Sequence, residues 1–214
     1  AAGAAFSGLF RHGSVLELTE AERDAVLEAY GPKQPQRDAN EQADPIARYT
    51  FTDGSAEDEI GDADLTLHGA AAIDEDGDRG EVLALNGAEG TYAAFPQGFF
   101  DGRDYMTVSM DVKSSSSGNH FTWTYGLDST TYFFAKYGSD GTLNSRITTG
   151  SWGSERKADA AKLGNGDWRK LTWVFSGTEM TVYADGEQVA KNSATGLFAS
   201  ALGNDLLGYL GKSF

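Results

Sequence analysis

Acidic side chains crowd two short stretches of this chain. Glu57, Asp58, Glu59, Asp62 and Asp64 make up the first, and Asp74, Glu75, Asp76, Asp78 and Glu81 the second. Two carboxyl groups facing each other across a cleft can cleave a glycosidic bond, and their separation sets inversion or retention. Such a pair must be held rigidly. A strand face does this well and loop tips do it poorly, and these acids read as loop residues, so no catalytic residue is assigned. Acids at alternate positions also suit a hard cation. Asp74-Glu75-Asp76-Gly77-Asp78 has that alternation, which makes Asp74 and Asp76 candidate calcium ligands. The stretch lacks the glycine at the sixth position and the glutamate at the twelfth that an EF-hand requires. A solvated hairpin tip is the alternative.

Flat aromatic rings can do a different job. They stack on the apolar C–H faces of sugars while polar groups bond the hydroxyls. Trp123, Tyr125, Tyr132, Tyr137 and Trp152 are the available platforms, and Arg146 on a polar strand is a candidate hydrogen-bond donor to a ligand. Phe121, Trp123 and Tyr125 share one strand face, so the competing reading for them is core. Trp152 lies in the loop Thr149-Gly150-Ser151-Trp152-Gly153-Ser154, where an exposed ring has a better chance of binding than one on a strand face, with binding and no binding evenly matched. Trp173 and Phe175 alternate with Thr172 and Val174 and belong to the core. The three histidines do not cluster in sequence, and each reads as a surface or packing residue.

The elements that must position these residues are strands. Tyr105 to Val112 alternates, with Met106, Val108, Met110 and Val112 on one side. His120–Tyr125, Thr131–Tyr137 and Leu143–Thr148 follow, separated by polar or Gly-containing turns. Trp168–Ser176, Met180–Ala184 and the Asp185-Gly186 turn read as strand, turn, strand, turn. Earlier strands are expected at Arg48–Thr52, Leu65–Gly69, Val82–Gly87 and Tyr92–Phe95, and a last one at Leu206–Gly211. This spacing without intervening helical periodicity predicts an all-β fold, an antiparallel two-sheet jelly-roll sandwich. Ahead of it, Thr19-Glu20-Ala21-Glu22 is a capping box and Gly31-Pro32 a stop, which predicts a helix over 20–30 as a short N-terminal appendage. The expected division is an appendage over 1–31, a Pro-rich linker over 32–45 and the sandwich over 46–214.

A formal charge of −15 argues against nucleic acid as a partner, since such a surface repels phosphate backbones. No apolar run approaches the roughly 20 residues that a bilayer crossing needs. The chain has no cysteine, which removes disulfide, iron–sulfur and thiol chemistry. The first residues have no basic segment followed by an apolar core, and they read as a cut through a larger chain.

The order of motifs from Ala47 to Phe214 resembles the concanavalin A-like lectin and glucanase superfamily, in its laminin-G-like bacterial branch. The similar pieces are Tyr49–Ser55, Leu65–Gly69, Val82–Gly87, Met106–Lys113, Gly166–Phe175, Val182–Gly186 and Leu207–Ser213. Asn86 stands where that family usually has Asp, and Asp111 where it has Trp. The catalytic Glu-x-Asp-x-x-Glu run of the family's enzymes does not occur. The family usually adds a further strand near the first one. Phe6–Phe10, Val15-Leu16 and the capped helix loosely resemble that ending, whereas Leu9–Leu16 plus the helix also resemble the tail of a family 43 propeller glycosidase acting on arabinan or xylan, such as an arabinofuranosidase. His12 would matter only in that second case.

The resemblance implies a non-catalytic carbohydrate-binding or accessory module of a larger secreted bacterial glycoside hydrolase. Its partners would be a poly- or oligosaccharide and neighbouring domains of the same polypeptide. It also implies a structural Ca2+ with Asp53 as a further ligand, and Trp168 as a core residue. The alternative is a structural or adhesion domain that packs on a neighbour and binds no sugar.

Overall fold

The computed structural model describes residues 44–114, 120–163 and 166–214. The chain divides into two units, Ala1–Asp44 and Pro45–Phe214. The helix expected over 20–30, the family 43-like tail with His12 and nearly all of the linker lie outside the described residues.

Pro45–Phe214 is built from antiparallel strands. In chain order these are β1 (Thr66–His68), β2 (Ala72–Asp76), β3 (Gly80–Ala84), β4 (Tyr92–Ala94), β5 (Tyr105–Lys113), β6 (His120–Asp128) and β7 (Thr131–Tyr137). Then come β8 (Thr142–Thr148), β9 (Arg156–Lys157), β10 (Ala160–Lys162), β11 (Trp168–Ser176), β12 (Glu179–Ala184), β13 (Glu187–Asn192) and β14 (Leu207–Leu210). The larger sheet runs β1-β4-β14-β6-β7-β8-β10, with β9 also paired to β8, and the smaller runs β13-β12-β11-β5. β2 and β3 form a separate hairpin.

The core lies between the two sheets, as period-two alternation demands. Trp123 and Tyr125 of β6, Phe133 and Tyr137 of β7, and Leu143 and Ile147 of β8 point into it from the larger sheet. Leu171, Trp173 and Phe175 of β11 meet them with Met180 and Val182 of β12. Trp123 contacts Trp173 edge-on at 5.6 Å, and Phe133 contacts Phe175 at 5.1 Å between ring centres. The buried Trp173 Nε1 donates to Ser145 Oγ at 2.9 Å, a polar link between the layers. Gly208 sits in β14 because a Cβ there would overlap the rings of Phe100 and Phe95.

Three expectations need correction. Asp74, Glu75 and Asp76 lie on β2 and Glu81 on β3, so they are strand residues and not loop residues. Arg48–Thr52 is not a strand. Phe51 and Asp53 take left-handed backbone angles (φ 62° and 58°), which breaks an extended run, and Thr52–Gly54 forms a 3-10 turn. Trp168 is not a core residue. It faces outward at the start of β11, where its Nε1 donates to Asp76 Oδ1 at 3.1 Å, with Lys113 and Arg79 over the ring. These contacts fasten the tip of the β2–β3 hairpin to the outside of the smaller sheet.

Asp58 organises the segment that failed to become a strand. Its buried carboxylate accepts from the backbone N–H groups of Arg48 (2.9 Å), Ile60 (3.0 Å) and Ala63 (3.3 Å). Burial pushes its pKa up, but the donors from Arg48, Ile60, Gly61 and Ala63 outweigh burial and hold it below the ordinary value. Asp128 and Asp140, which bond the turns that follow them, are also lowered, chiefly by the side-chain hydroxyls of Thr130 and Thr142. A folded pKa below the unfolded one adds stability above the unfolded value, and that stability is lost as pH falls through the folded pKa. The melting temperature should therefore hold from neutral pH down to about 5 and fall below about 4, the ordinary carboxylate range. Asp58→Asn should lower it at pH 7 and shrink the acid-induced drop. A drop of unchanged size in the variant would show that Asp58 is not responsible.

Candidate functional site

The face of the larger sheet turned away from the core carries a band of rings and cations. On β7, Tyr132, Phe134 and Lys136 alternate with the core residues Phe133, Ala135 and Tyr137. On β8, Asn144, Arg146 and Thr148 alternate with Leu143, Ser145 and Ile147. Register places Tyr209, Thr124, Phe134 and Arg146 in one row across four strands. His68 stacks on Tyr92 at 4.3 Å, and Tyr92 meets Tyr209 edge-on at 5.4 Å. Lys212 lies 4.5 Å and 4.0 Å over those two tyrosines, and Lys136 lies over Phe121 and Phe134. The chain's own cations therefore cover much of this aromatic surface.

Arg146 is the centre of a closed polar network. Its Nη1 donates to Glu155 Oε2 at 2.9 Å, its Nη2 to Asp159 Oδ2 at 2.8 Å and Asn144 Oδ1 at 2.7 Å, and its Nε to Asp159 at 3.1 Å. Tyr132 Oη donates to Glu155 Oε1 at 2.9 Å. Burial would lower the Arg146 pKa, but the bonds and charges of Asp159 and Glu155 override it and raise it. Burial, reinforced by Glu155, pushes the Tyr132 phenol up, so it remains a donor. These carboxylates accept hydrogen bonds from an arginine, whereas glycoside hydrolysis requires a carboxyl group that delivers a proton. The bonds hold Glu155 of the β8–β9 connection and Asp159 of the β9–β10 connection against β7 and β8.

Beside this network, at the end of β8, stands Trp152, 80% exposed. It is the first residue of a short 3-10 turn over Trp152–Ser154. Ser151 before it has φ 61° and ψ −179°, a region that normally belongs to glycine. The buried Thr148 fixes the loop: its Oγ1 donates to Ser151 O at 3.1 Å and accepts from Gly150 N at 3.0 Å. Ser151 N donates to Thr130 O at 2.8 Å, tying the loop to the β6–β7 hairpin. A strained loop held from several sides thus presents an indole to solvent.

Of the residues expected to bind sugar, Trp152 and Arg146 lie near each other through Glu155. Trp123, Tyr125 and Tyr137 do not join them. They are 0%, 0% and 2% exposed, packed between the sheets, with no ring face left for a ligand. The alternation on β6 had allowed this core reading, and packing against Trp173 and Phe175 enforces it for Trp123 and Tyr125. Reasoning from sequence missed Phe134, Lys136, Glu155 and Asp159. Thr131–Tyr137 is aromatic on both faces, so alternation alone could not say which face was outside.

The expected calcium ligands do not converge either. Among the described residues, no group of three or more His, Asp or Glu side chains could hold an ion. Asp76 Oδ2 is paired with Lys113 at 3.2 Å, and its Oδ1 accepts from Trp168 and Asp78 N. Asp74 is exposed on β2. Asp53 lines a shallow depression with Glu57, Asp58 and Glu59, but backbone donors already hold Asp58, and Glu59 accepts from Thr50. These residues do not fit an ion held by side-chain carboxylates.

Comparison with known proteins bears on this geometry. The chain is 28% identical over 180 residues to an alpha-L-arabinofuranosidase of Bifidobacterium longum subsp. longum, a match covering 76% of this chain. The chain spans 17% of that relative's length. Among solved structures it resembles Domain 4 of AbnA, a GH43 extracellular arabinanase from Geobacillus stearothermophilus, in complex with arabinotriose. The TM-score is 0.65 at 22% identity, over 79% of this chain and 84% of that one. A structure of botulinum neurotoxin type C matches at a TM-score of 0.54 and 11% identity, over 74% of this chain and 40% of the other. At these identities the structural likenesses show the fold alone. A laminin-G-type family model (Laminin_G_3), described as concanavalin A-like lectin/glucanases superfamily, matches residues 86–214. A match of that extent, over more than half the chain and on through its last strand, decides membership: the chain belongs to the concanavalin A-like lectin/glucanases superfamily.

Proposed function

We propose that this chain is a non-catalytic carbohydrate-binding module of a larger extracellular bacterial glycoside hydrolase that acts on arabinan-type polysaccharide. Sugar would stack on Trp152 and hydrogen-bond the partly exposed Arg146 and Asp159. The observation that carries this reading is the 80% exposure of Trp152 on a loop fixed by Thr148 and Thr130. Exposed indole gains nothing for folding, whereas a preorganised ring loses little entropy when a sugar docks. The arabinotriose bound to Domain 4 of the arabinanase and the arabinofuranosidase relative support arabinose-containing chains over other glycans. The extracellular setting of that arabinanase supports the same setting here.

The test is affinity electrophoresis of the chain through linear arabinan, xylan and galactan, with free arabinotriose as competitor. Retardation by arabinan, relieved by arabinotriose, is the expected result. Free migration through all three polymers would remove the proposal.

A second reading has one observation in its favour. Lys212, Lys136 and Arg146 lie over the rings of the outward sheet face, as they would on a face that serves packing or stability rather than ligand. On that reading the chain is a structural or adhesion domain beside a neighbour, and no gel retards it.

A further inference from the structure

Among the described residues, six large hydrophobic side chains are exposed: Ile46, Ile60, Tyr105, Leu127, Trp152 and Phe198. The last four share one end of the sandwich. Leu127 lies near the end of β6 and Trp152 in the β8–β9 connection, and Ser151 N donates to Thr130 O at 2.8 Å, which joins the latter to the β6–β7 turn. Tyr105 opens β5 opposite Ser176, the last residue of β11. Phe198 precedes a short turn whose Ser200 N donates to Asp104 Oδ1 at 3.0 Å, next to Tyr105. Arg156 Nε donates to Thr195 O at 3.1 Å, which links the strand after the Trp152 loop to the segment carrying Phe198.

Tyr105 and Phe198 flank a glycine. Gly177 has φ 62°, and a Cβ there would lie 3.4 Å from Phe198 Cε1 and 3.5 Å from Tyr105 Oη. Two rings, 56% and 46% exposed, thus rise beside a bare stretch of backbone. We infer that Tyr105, Gly177 and Phe198 form a second sugar-stacking contact, so that one long neutral polysaccharide chain is held at this pair and at Trp152 together. This rests on the proposed function and adds to it a second place of contact and a preference for length.

Charge selects the occupant. Asp101, Asp104 and Asp128 lie at this end of a chain with net charge −15. These carboxylates outnumber the cations Arg103 and Arg156 of the same end and disfavour uronates, phosphates and other anions.

The test compares the chain with its Tyr105→Ala/Phe198→Ala variant, by calorimetric titration with arabinotriose and with linear arabinan. A trisaccharide fills one contact and a polymer reaches both. The variant should bind arabinotriose as the parent does and arabinan about five- to twentyfold more weakly, since one of two linked contacts is gone. Unchanged arabinan affinity overturns the inference and leaves the proposed function standing. Loss of arabinotriose binding at an unchanged melting temperature also overturns it, because the pair would then be the primary contact. Failure of the parent chain to bind either sugar ends the proposed function and this inference with it. Should the double variant melt lower than the parent, Tyr105→Thr, which suits a strand start, is read by the same outcomes.

Discussion

Trp123→Ala should lower the unfolding free energy by about 3–5 kcal/mol, the range for an indole removed from a packed core. In a domain of this size that is a fall in melting temperature of roughly 6–20 °C. The side chain is fully buried, and rings of Tyr125, Phe133 and Trp173 surround it at 5.5, 4.6 and 5.6 Å. Little of this packing can close over the void, because those neighbours are anchored in strands of both sheets. Trp123→Phe should cost much less. It keeps most of the volume and removes Trp123 Nε1, which is buried without a hydrogen-bond partner. Thermal denaturation of the two variants beside the parent checks the ordering. A ligand platform would behave the other way, losing sugar binding at an unchanged melting temperature, and that outcome would return Trp123 to the surface.

The strands that sequence could find are those whose alternation has one apolar side. Tyr105–Lys113 and Trp168–Ser176 pair along their whole lengths, Tyr105 opposite Ser176 through Lys113 opposite Trp168. Asp185 and Gly186 both turn through positive φ, as the Asp-Gly pair between two strands predicts. Alternation fails where both faces of a strand are apolar. Thr131–Tyr137 places Phe133 between the sheets and Phe134 on the opposite face, buried there under Lys136 and Arg146, and neighbours in the sequence cannot distinguish them. It fails also at Arg48–Thr52, where the deciding contact is made by Asp58, a distant carboxylate that captures the backbone N–H of Arg48.

The candidate site was legible only in its simplest part. Trp152 among glycines and serines reads as an exposed ring, and it is one. Arg146 reads as polar and outward, but Glu155 and Asp159, which occupy it, lie nine and thirteen residues away in sequence. Tyr105 and Phe198 lie far apart in the chain and both approach Gly177. Pairing across strands, not local pattern, creates such neighbours, so composition and spacing carry no trace of them.

Trp152→Ala should weaken arabinan and arabinotriose binding about ten- to hundredfold, the loss expected when one large stacked ring is removed from a sugar site. Its melting temperature should stay within about 2 °C of the parent, since substitutions of exposed side chains away from structural features change stability little. At 80% this indole's exposure is the highest among the large hydrophobics described, so little of it is packed. The loop around it is costly in another way: a serine at φ 61° and ψ −179° stores about 1–3 kcal/mol of strain. Thr148 and Thr130 hold that strain in place through three hydrogen bonds. Strain of this kind gathers at binding sites, which fits a loop that fixes the direction of its ring. Titration of Trp152→Ala and Trp152→Phe with arabinotriose separates the cases. A partial loss in the phenylalanine variant and a near-complete loss in the alanine variant would fit stacking. Equal affinity in all three proteins would place the sugar elsewhere on the domain, even where the parent chain is retained by arabinan.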